Sequence, residues 1–247
     1  MKRLAKGRYI ARISQCARDI EDAQALRQRA FLGSNGRDQD PFDTRCLHVL
    51  VHERRSARLV CCCRLLPLEN GDAIDGSYSA QFYDLEPLRA FEGPMLEMGR
   101  FCVDPDVQDP DVIRVIWAAM TQYVDESGAQ MLFGCSSFAG TDQDDYMDAF
   151  AVLHEKHLAP KRWLPKVKAQ TVFPFASHFR KQSNRKTDRK RAMLRMPPLL
   201  RTYLLMGGWV SDHAVVDPDL NTLHVFTGLE ISAIPPARKR LLRASVG

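Results

Sequence analysis

The apolar residues of this 247-residue chain change period several times along its length, and that alternation constrains the fold more than any other feature. Between residues 17 and 32, Ile20, Ala23, Leu26, Ala30 and Phe31 recur at spacings of three and four, as in a helix with one buried face. Asp19, Glu21 and Asp22 stand near its start and Arg27 and Arg29 near its end, the sense that the helix dipole favours. Residues 47–52 and 59–66 are short apolar runs of strand length, separated by the charged turn at 53–56. Residues 9–14 and 96–103 read as two further strands. Asp109-Pro110-Asp111 opens a helix whose stripe is Val112, Val115, Ile116, Ala119, Met120 and Tyr123, closed by Gly128. A short strand at 131–135 and an amphipathic helix at 144–158 follow. This order of strands and helices predicts an α/β or α+β sheet with helices packed on it.

Past Pro160 the pattern is less regular. Pro197-Pro198 starts a short apolar helix that Gly207-Gly208 ends, and residues 223–232 form a last strand able to rejoin the sheet. The length suits one domain, residues 1–247, with a basic and amphipathic insertion at 177–207. No apolar run approaches the ~20 residues needed to cross a bilayer. The basic N-terminus lacks the apolar stretch of a signal peptide.

Charge is divided unevenly. Residues 1–169 hold 22 Lys and Arg against 25 Asp and Glu, whereas residues 170–247 hold 13 against 5. A strongly basic final third predicts a polyanionic partner: nucleic acid, an anionic membrane surface or an acidic protein. The cations concentrate at Arg180, Lys181, Arg185, Lys186, Arg189, Lys190, Arg191 and Arg195. No aromatic residue is interleaved with them, which argues against nucleic acid. Leu199, Leu200, Tyr203, Leu204, Leu205 and Met206 would add an interfacial apolar face. The plainer reading is a solvated basic loop followed by a core helix.

The seven cysteines are odd in number and contain no Cys-x-x-Cys pair, so reduced thiols in a cytoplasmic protein are expected, with no metal site. Cys61, Cys62 and Cys63 fit a buried strand, where a free thiol acts as a small hydrophobe. His154-Glu-Lys-His157 is not the zinc pattern of a metallopeptidase helix.

Three polar clusters remain. Arg27 and Phe31 share one helix face, Asp40 and Asp43 flank Pro41-Phe42 ahead of Arg64, and Glu97 and Arg100 interrupt an apolar strand around Gly99. Strict alternation would send Glu97 and Arg100 to opposite faces, and a bulge at Met98–Gly99 would re-phase them. Charges inside a central strand are seldom buried without a partner or a task.

At these residues the chain resembles GNAT-type acyltransferases of the branch that uses acyl carrier protein. Autoinducer (N-acyl-homoserine lactone) synthases share the spacing of Arg27 and Phe31, of Asp40 and Asp43, the strand end Cys62-Cys63-Arg64-Leu65-Leu66-Pro67, and Glu97 with Arg100. The ornithine-lipid N-acyltransferases resemble it nearly end to end, through Leu26-Arg-Gln-Arg-Ala-Phe31, Glu97-Met-Gly-Arg-Phe-Cys-Val-Asp104, Leu132-Phe-Gly-Cys-Ser-Ser-Phe-Ala-Gly-Thr-Asp142, Pro197-Pro-Leu-Leu-Arg-Thr-Tyr-Leu204 and Asp217-Pro-Asp-Leu-Asn-Thr222. The glycine-rich pyrophosphate loop usual in acetyl-CoA enzymes is replaced by Asp104-Pro-Asp-Val-Gln-Asp109, an acidic loop that would repel the diphosphate of coenzyme A.

The resemblance implies a mixed, mostly antiparallel GNAT-type sheet flanked by helices. It implies transfer of a 3-hydroxyacyl group from acyl carrier protein to the α-amine of L-ornithine, giving a lyso-ornithine lipid, with no tightly bound cofactor. Glu97 would be the general base, Arg100 its orienter or the carboxylate binder, and Tyr146 the acid for the leaving thiolate. A backbone N–H near Gly99 would polarise the thioester. Arg27, Phe31, Asp40, Asp43 and Arg64 would wall the acceptor site. The basic segment would meet carrier protein, an anionic membrane surface or both, at the inner face of the cytoplasmic membrane. The alternatives are glutamine or another amino acid as acceptor, an autoinducer synthase, and a non-catalytic basic membrane-binding module.

Overall fold

The computed structural model describes residues 3–181 and 186–244. In chain order the strands are β1 (Leu4–Lys6), β2 (Tyr9–Ile13), β3 (Leu47–Glu53), β4 (Leu59–Leu68), β5 (Tyr83–Asp84), β6 (Met95–Val103), β7 (Met131–Ala139), β8 (Lys166–Val167), β9 (Val172–Pro174), β10 (Trp209–Val210), β11 (His213–Asp217) and β12 (Thr222–Glu230). The helices are α1 (Ala17–Leu32), α2 (Pro110–Ser127), α3 (Met147–Lys156), α4 (Phe175–Lys181), α5 (Arg189–Arg195), α6 (Pro198–Leu205) and α7 (Pro236–Ala244). The fold is the expected mixed one, a mostly antiparallel sheet flanked by helices. Its contacts divide into two compact units, Met1–Pro67 with Leu96–Gln130 and Pro235–Gly247, and Leu68–Met95 with Met131–Ile234.

In the first unit the strand order is β1-β2-β3-β4-β6, with β1 to β4 antiparallel in sequence. His48 pairs with Arg64 and Leu50 with Cys62, so these four share one face of the β3–β4 hairpin. Helix α1 covers that face: Ala23 and Leu26 pack with Leu50, Cys62 and Cys102. Val49, Val51, Cys61 and Cys63 take the other face and are also buried. This is why the Cys run reads as continuously apolar. The N-cap of α1, Cys16, makes no side-chain cap bond; Asp19 instead accepts from the Gln15 backbone N–H at 2.8 Å and from both terminal nitrogens of Arg12 at 2.6 Å. That fixes the helix start to the end of β2. Gly33 ends it at φ +62°, with its N–H on the Arg29 carbonyl. Helix α2 packs against β1, β2 and β3, and α7 against α2.

In the second unit β7-β12-β11-β9 are consecutive antiparallel neighbours, β10 also pairs with β12, and β5 pairs with β8. Strand β7 runs to Ala139 rather than ending near Cys135, because Ser136–Ala139 pair with residues 222–225 of β12 despite their weak apolar pattern. Leu223 and Val225 face a core shared by α3, Phe173, Phe175, Ala192, Met196 and Leu200. The intervening His224 and Phe226 face the other way, toward Tyr83. Residues 189–195 are a helix, not a loop. Ala192 and Met196 are buried and lean on α3, which organises the basic segment from within. The apolar residues of α6 are largely core rather than interface: Leu200, Tyr203 and Met206 are buried, and only Leu205 is exposed.

Candidate active site

The polar face of α1 carries Gln24 and Arg27, one turn apart, above His48 and Arg64 of the hairpin. Into this space the loop after α1 feeds three carboxylates. Asp40 caps a tight 3-10 turn, Pro41–Thr44, by accepting from Phe42 N–H at 2.8 Å, and the turn presents Asp43 inward. Asp43 accepts from Arg27 Nη1 at 2.8 Å and Nη2 at 2.9 Å, from Gln24 Nε2 at 2.9 Å and from Arg64 Nη1 at 3.0 Å. His48 Nε2 lies 2.9 Å from the Asp43 carbonyl oxygen. Arg64 Nη1 also donates to Asp40 at 2.5 Å. Arg27 Nη2 donates to the Asp38 carbonyl, and its Nε lies 2.9 Å from the Asp38 carboxylate. Arg100, from β6, completes the group by donating to Asp38 at 2.9 Å and Asp40 at 3.3 Å.

Three guanidinium groups therefore interlock with three carboxylates. Exposure grades across them: Arg27 is 0% exposed and Asp43 4%, whereas the side chains of Arg100 and Asp40 are 11% and 17% exposed. One end is sealed and the other reaches solvent. Burial pushes the Asp43 carboxyl up, but the bonds and charge of Arg27, with Gln24 and Arg64, overcome it and hold the group well below the carboxylate range. Asp40 is held down in the same way against its burial, by Arg64 and then Arg100. Burial lowers His48, so it stays neutral at physiological pH.

Glu97 is buried in β6. Its charge is felt at Cys46, whose thiol burial pushes up to about 11; Glu97, Asp40 and Asp43 add to the rise and Arg64 opposes it. Cys46 is therefore within electrostatic reach of both Glu97 and the interlocked cluster. The backbone irregularity expected at Met98–Gly99 falls one residue later: Arg100 itself has φ +51°, and Gly99 is outside the left-handed region. A bulky residue in that conformation is strained, and the pairs to Asp38 and Asp40 hold it there. Among the described residues no atom would lie within 4 Å of a Cβ added at Gly99, so open space adjoins the strand between Glu97 and Arg100.

Phe31 is half-buried against Leu26, Leu50 and Cys62 and serves the core beneath the cluster. Tyr146 belongs to the second unit, where its ring packs on Phe138 and Phe150 and its hydroxyl donates to the Ala139 carbonyl at 2.6 Å. A proton-donor role would require that bond to break. Of the basic residues, Arg180, Lys186 and Lys190 are exposed, and Arg189, Arg191 and Arg195 lie 3.5–4.0 Å from Glu155, Asp148 and Asp145. Lys181 closes α4, and Arg185 lies outside the described residues. Asp38, Gln24 and His48 were not singled out by sequence. Gln24 is three residues before Arg27 on the same helix face, and Asp38 is two before Asp40, so spacing held a signal for both. His48 depends on strand register. Among the described residues no group of three or more metal-ligating side chains forms.

A family model described as an acetyltransferase (GNAT) domain matches residues 23–118, the stretch that supplies Gln24, Arg27, the three aspartates, Arg64, Glu97 and Arg100. A solved N-acyl amino acid synthase from uncultured soil microbes shares the fold, with a TM-score of 0.51 at 10% identity over 92% of this chain and 93% of that one. The matched domain and the shared fold are those of the GNAT class of acyltransferases. An L-ornithine N(alpha)-acyltransferase of Rhodobacter capsulatus is 32% identical over 92% of this chain and 91% of its own length. One from Brucella abortus is 29% identical over 92% of this chain and 86% of its own. The chain belongs to this L-ornithine N(alpha)-acyltransferase family.

Proposed function

We propose that this enzyme acylates the α-amine of L-ornithine with a 3-hydroxy fatty acyl group carried as an acyl carrier protein thioester, giving a lyso-ornithine lipid. The observation that carries the reading is the graded charge cluster. Its open end offers a guanidinium, Arg100, beside two carboxylates, Asp38 and Asp40, and three residues before Arg100 the same strand carries the buried Glu97. That set matches an acceptor with one carboxylate and two ammonium groups. Arg100 pairs with the substrate carboxylate in a charge-assisted contact, and Asp38 and Asp40 take the side-chain ammonium. Arg27, Asp43 and Arg64 hold these groups in place, and Phe31 packs beneath them.

In the proposed step Glu97 removes a proton from the α-ammonium, directly or through one water. The freed lone pair attacks the thioester carbonyl, the C–N bond forms, and collapse of the tetrahedral intermediate breaks the C–S bond. A backbone N–H near Gly99 is placed in the role of oxyanion donor. The thiolate leaves on the carrier's pantetheine arm and takes up a proton. Tyr146 is the proposed source only if it releases the Ala139 carbonyl.

The donor reading draws support from the start of α2. Asp109 accepts from Asp111 N–H at 2.9 Å, and Pro110 contributes no N–H. A carboxylate thus occupies the helix N-terminus, where a coenzyme A diphosphate would otherwise bind. The rest of the acidic loop is less repulsive than its sequence suggests, since Asp104 is buried and paired with Arg58 at 2.8 Å and Arg29 at 3.4 Å. The basic surface of α5 is the proposed contact for a polyanionic partner, carrier protein or anionic leaflet.

Purified protein incubated with 3-hydroxyacyl carrier protein, or the matching coenzyme A thioester, and a panel of amino acids tests this by mass spectrometry of the products. N-acylornithine from the carrier-protein donor is expected, with Glu97→Gln lowering kcat about 10²–10⁴-fold at unchanged stability. Product from glutamine but not ornithine would replace the acceptor, and equal use of the coenzyme A thioester would remove the carrier-protein assignment.

A further inference from the structure

The large apolar side chains most exposed among the described residues are Leu32, Val167, Met193, Leu194, Leu205 and Leu241, and half of them fall on α5 and α6. Leu194 is 74% exposed, Leu205 56% and Met193 44%. Single exposed apolar residues are ordinary, but grouped ones mark an interaction surface. These are grouped. Arg201 Nη1 of α6 donates to the Met193 carbonyl of α5 at 3.3 Å, and Leu205 lies one turn beyond Arg201 on the same side of α6.

They are also held outward. Ala192 and Met196 pin α5 into the core, and Leu200, Tyr203 and Met206 pin α6, so neither helix can roll its exposed residues inward without surrendering buried ones. Around them stand the exposed cations Lys186, Arg189, Lys190, Arg191 and Arg195. Arg189, Arg191 and Arg195 lean toward α3 and the turn before it, on Glu155, Asp148 and Asp145. An acidic protein docked by charge would meet those same acids and would leave the apolar tip unused. A fluid apolar phase beneath an anionic surface uses both features.

We propose that the α5–α6 face inserts shallowly into an anionic phospholipid bilayer, with Met193, Leu194 and Leu205 in the headgroup–acyl boundary and Lys186, Lys190 and Arg195 against lipid phosphates. The proposal deepens the reading of the basic surface given above. It rests on that reading for its purpose, since an N-acyl amino acid is an amphiphile that must pass into a bilayer.

The experiment is co-sedimentation of the whole protein with phosphatidylcholine vesicles, with and without phosphatidylglycerol, together with acylation assayed on a soluble donor. Binding to the phosphatidylglycerol vesicles is expected, weakened by salt. Met193→Ser/Leu194→Ser should cut it by about tenfold or more, the effect of withholding one well-buried apolar side chain. Turnover of the soluble donor should stay at the wild-type rate. Leu194→Trp should show a blue-shifted emission on binding. Absence of vesicle binding, or binding that the double serine variant retains, would overturn the proposal. A raised KM for acyl carrier protein in the serine variant, with vesicle binding intact, would also overturn it and assign the face to the carrier. Vesicle binding by a protein that acylates no amino acid would support this surface and sink only the catalytic reading.

Discussion

Asp43→Asn is the substitution that most directly tests the charge cluster as the foundation of the site. Asp43 accepts five hydrogen bonds, from both terminal nitrogens of Arg27, from Gln24, from Arg64 and from the Asp40 backbone. The amide keeps the shape but removes the charge and turns one acceptor into a donor facing a guanidinium that has no access to water. Breaking one side of a buried ion pair costs about 3–5 kcal/mol, because the surviving charge is left uncompensated. Asp38 still faces Arg27, so the lower part of that range is expected. Against a typical total of about 5–15 kcal/mol the loss is large. Urea unfolding followed by Trp117, the tryptophan of the first unit, reads it. The pair variant Arg27→Met/Asp43→Leu leaves Arg64 and Arg100 balanced by Asp38 and Asp40. It should therefore recover most of the stability while turnover stays low. The pH dependence has a definite sign. The Asp43 carboxyl is held below its unfolded value of about 4, so its contribution is fully present above that pH and is lost as pH falls further. The gap between wild type and Asp43→Asn should accordingly narrow below pH ~4. A loss under about 1 kcal/mol, or no coupling between the two sites in the double-mutant cycle, would refute the interlocked-cluster account.

Three further outcomes follow from other places in the fold. Gly99→Val adds bulk where nothing stands within 4 Å; thermal unfolding should be unchanged while kcat/KM falls, and retained activity would mean that the space is not used by substrate. Burial lowers His224, at the back of β12, to about 4, so the unfolded chain takes up its proton first and stability is lost as pH falls from about 6.5 toward 4. His224→Phe should flatten that slope by about 1.4 kcal/mol per pH unit in urea titrations, and an unaltered slope would contradict the burial argument. Tyr146→Phe removes the bond to Ala139 and should cost about 1 kcal/mol of stability with less than a tenfold loss of turnover; a loss of two orders of magnitude would make the phenol the acid that protonates the leaving thiolate.

What could be read along the chain was whatever is decided locally. Helix α1, the β3–β4 hairpin, β6 and α2 carry their buried faces and their stop signals within their own length and the residues that flank them, so period and punctuation suffice. Helix α5 does not. Seven residues with four cations have no helical stripe beyond Ala192, and the helix exists because Ala192 and Met196 find α3. Helix α6 shows the converse limit, since one apolar face has the same pattern whether it meets a core or a bilayer. Only its placement against β12 settles that Leu200 and Tyr203 are inside.

The candidate site was legible as a set of residue types and illegible as a hierarchy. The Asp40–Asp43 spacing presents two equivalent carboxylates, yet the 3-10 turn points Asp43 into a sealed space and leaves Asp40 at the rim. Arg27 and Arg100 differ in the same way, and His48 joins them only through its pairing with Arg64. The turn that seals Asp43 around Arg27 is also what aims Asp40 at Arg100. The charge of the buried half of the cluster therefore serves position, and the other half, held by it, keeps its ionic pairs at the solvent-facing rim. In the proposed reaction an acceptor that carries both signs of charge would meet a wall of that kind, rigid at its base, partly open to solvent at its surface, and carried in part by the strand that holds Glu97.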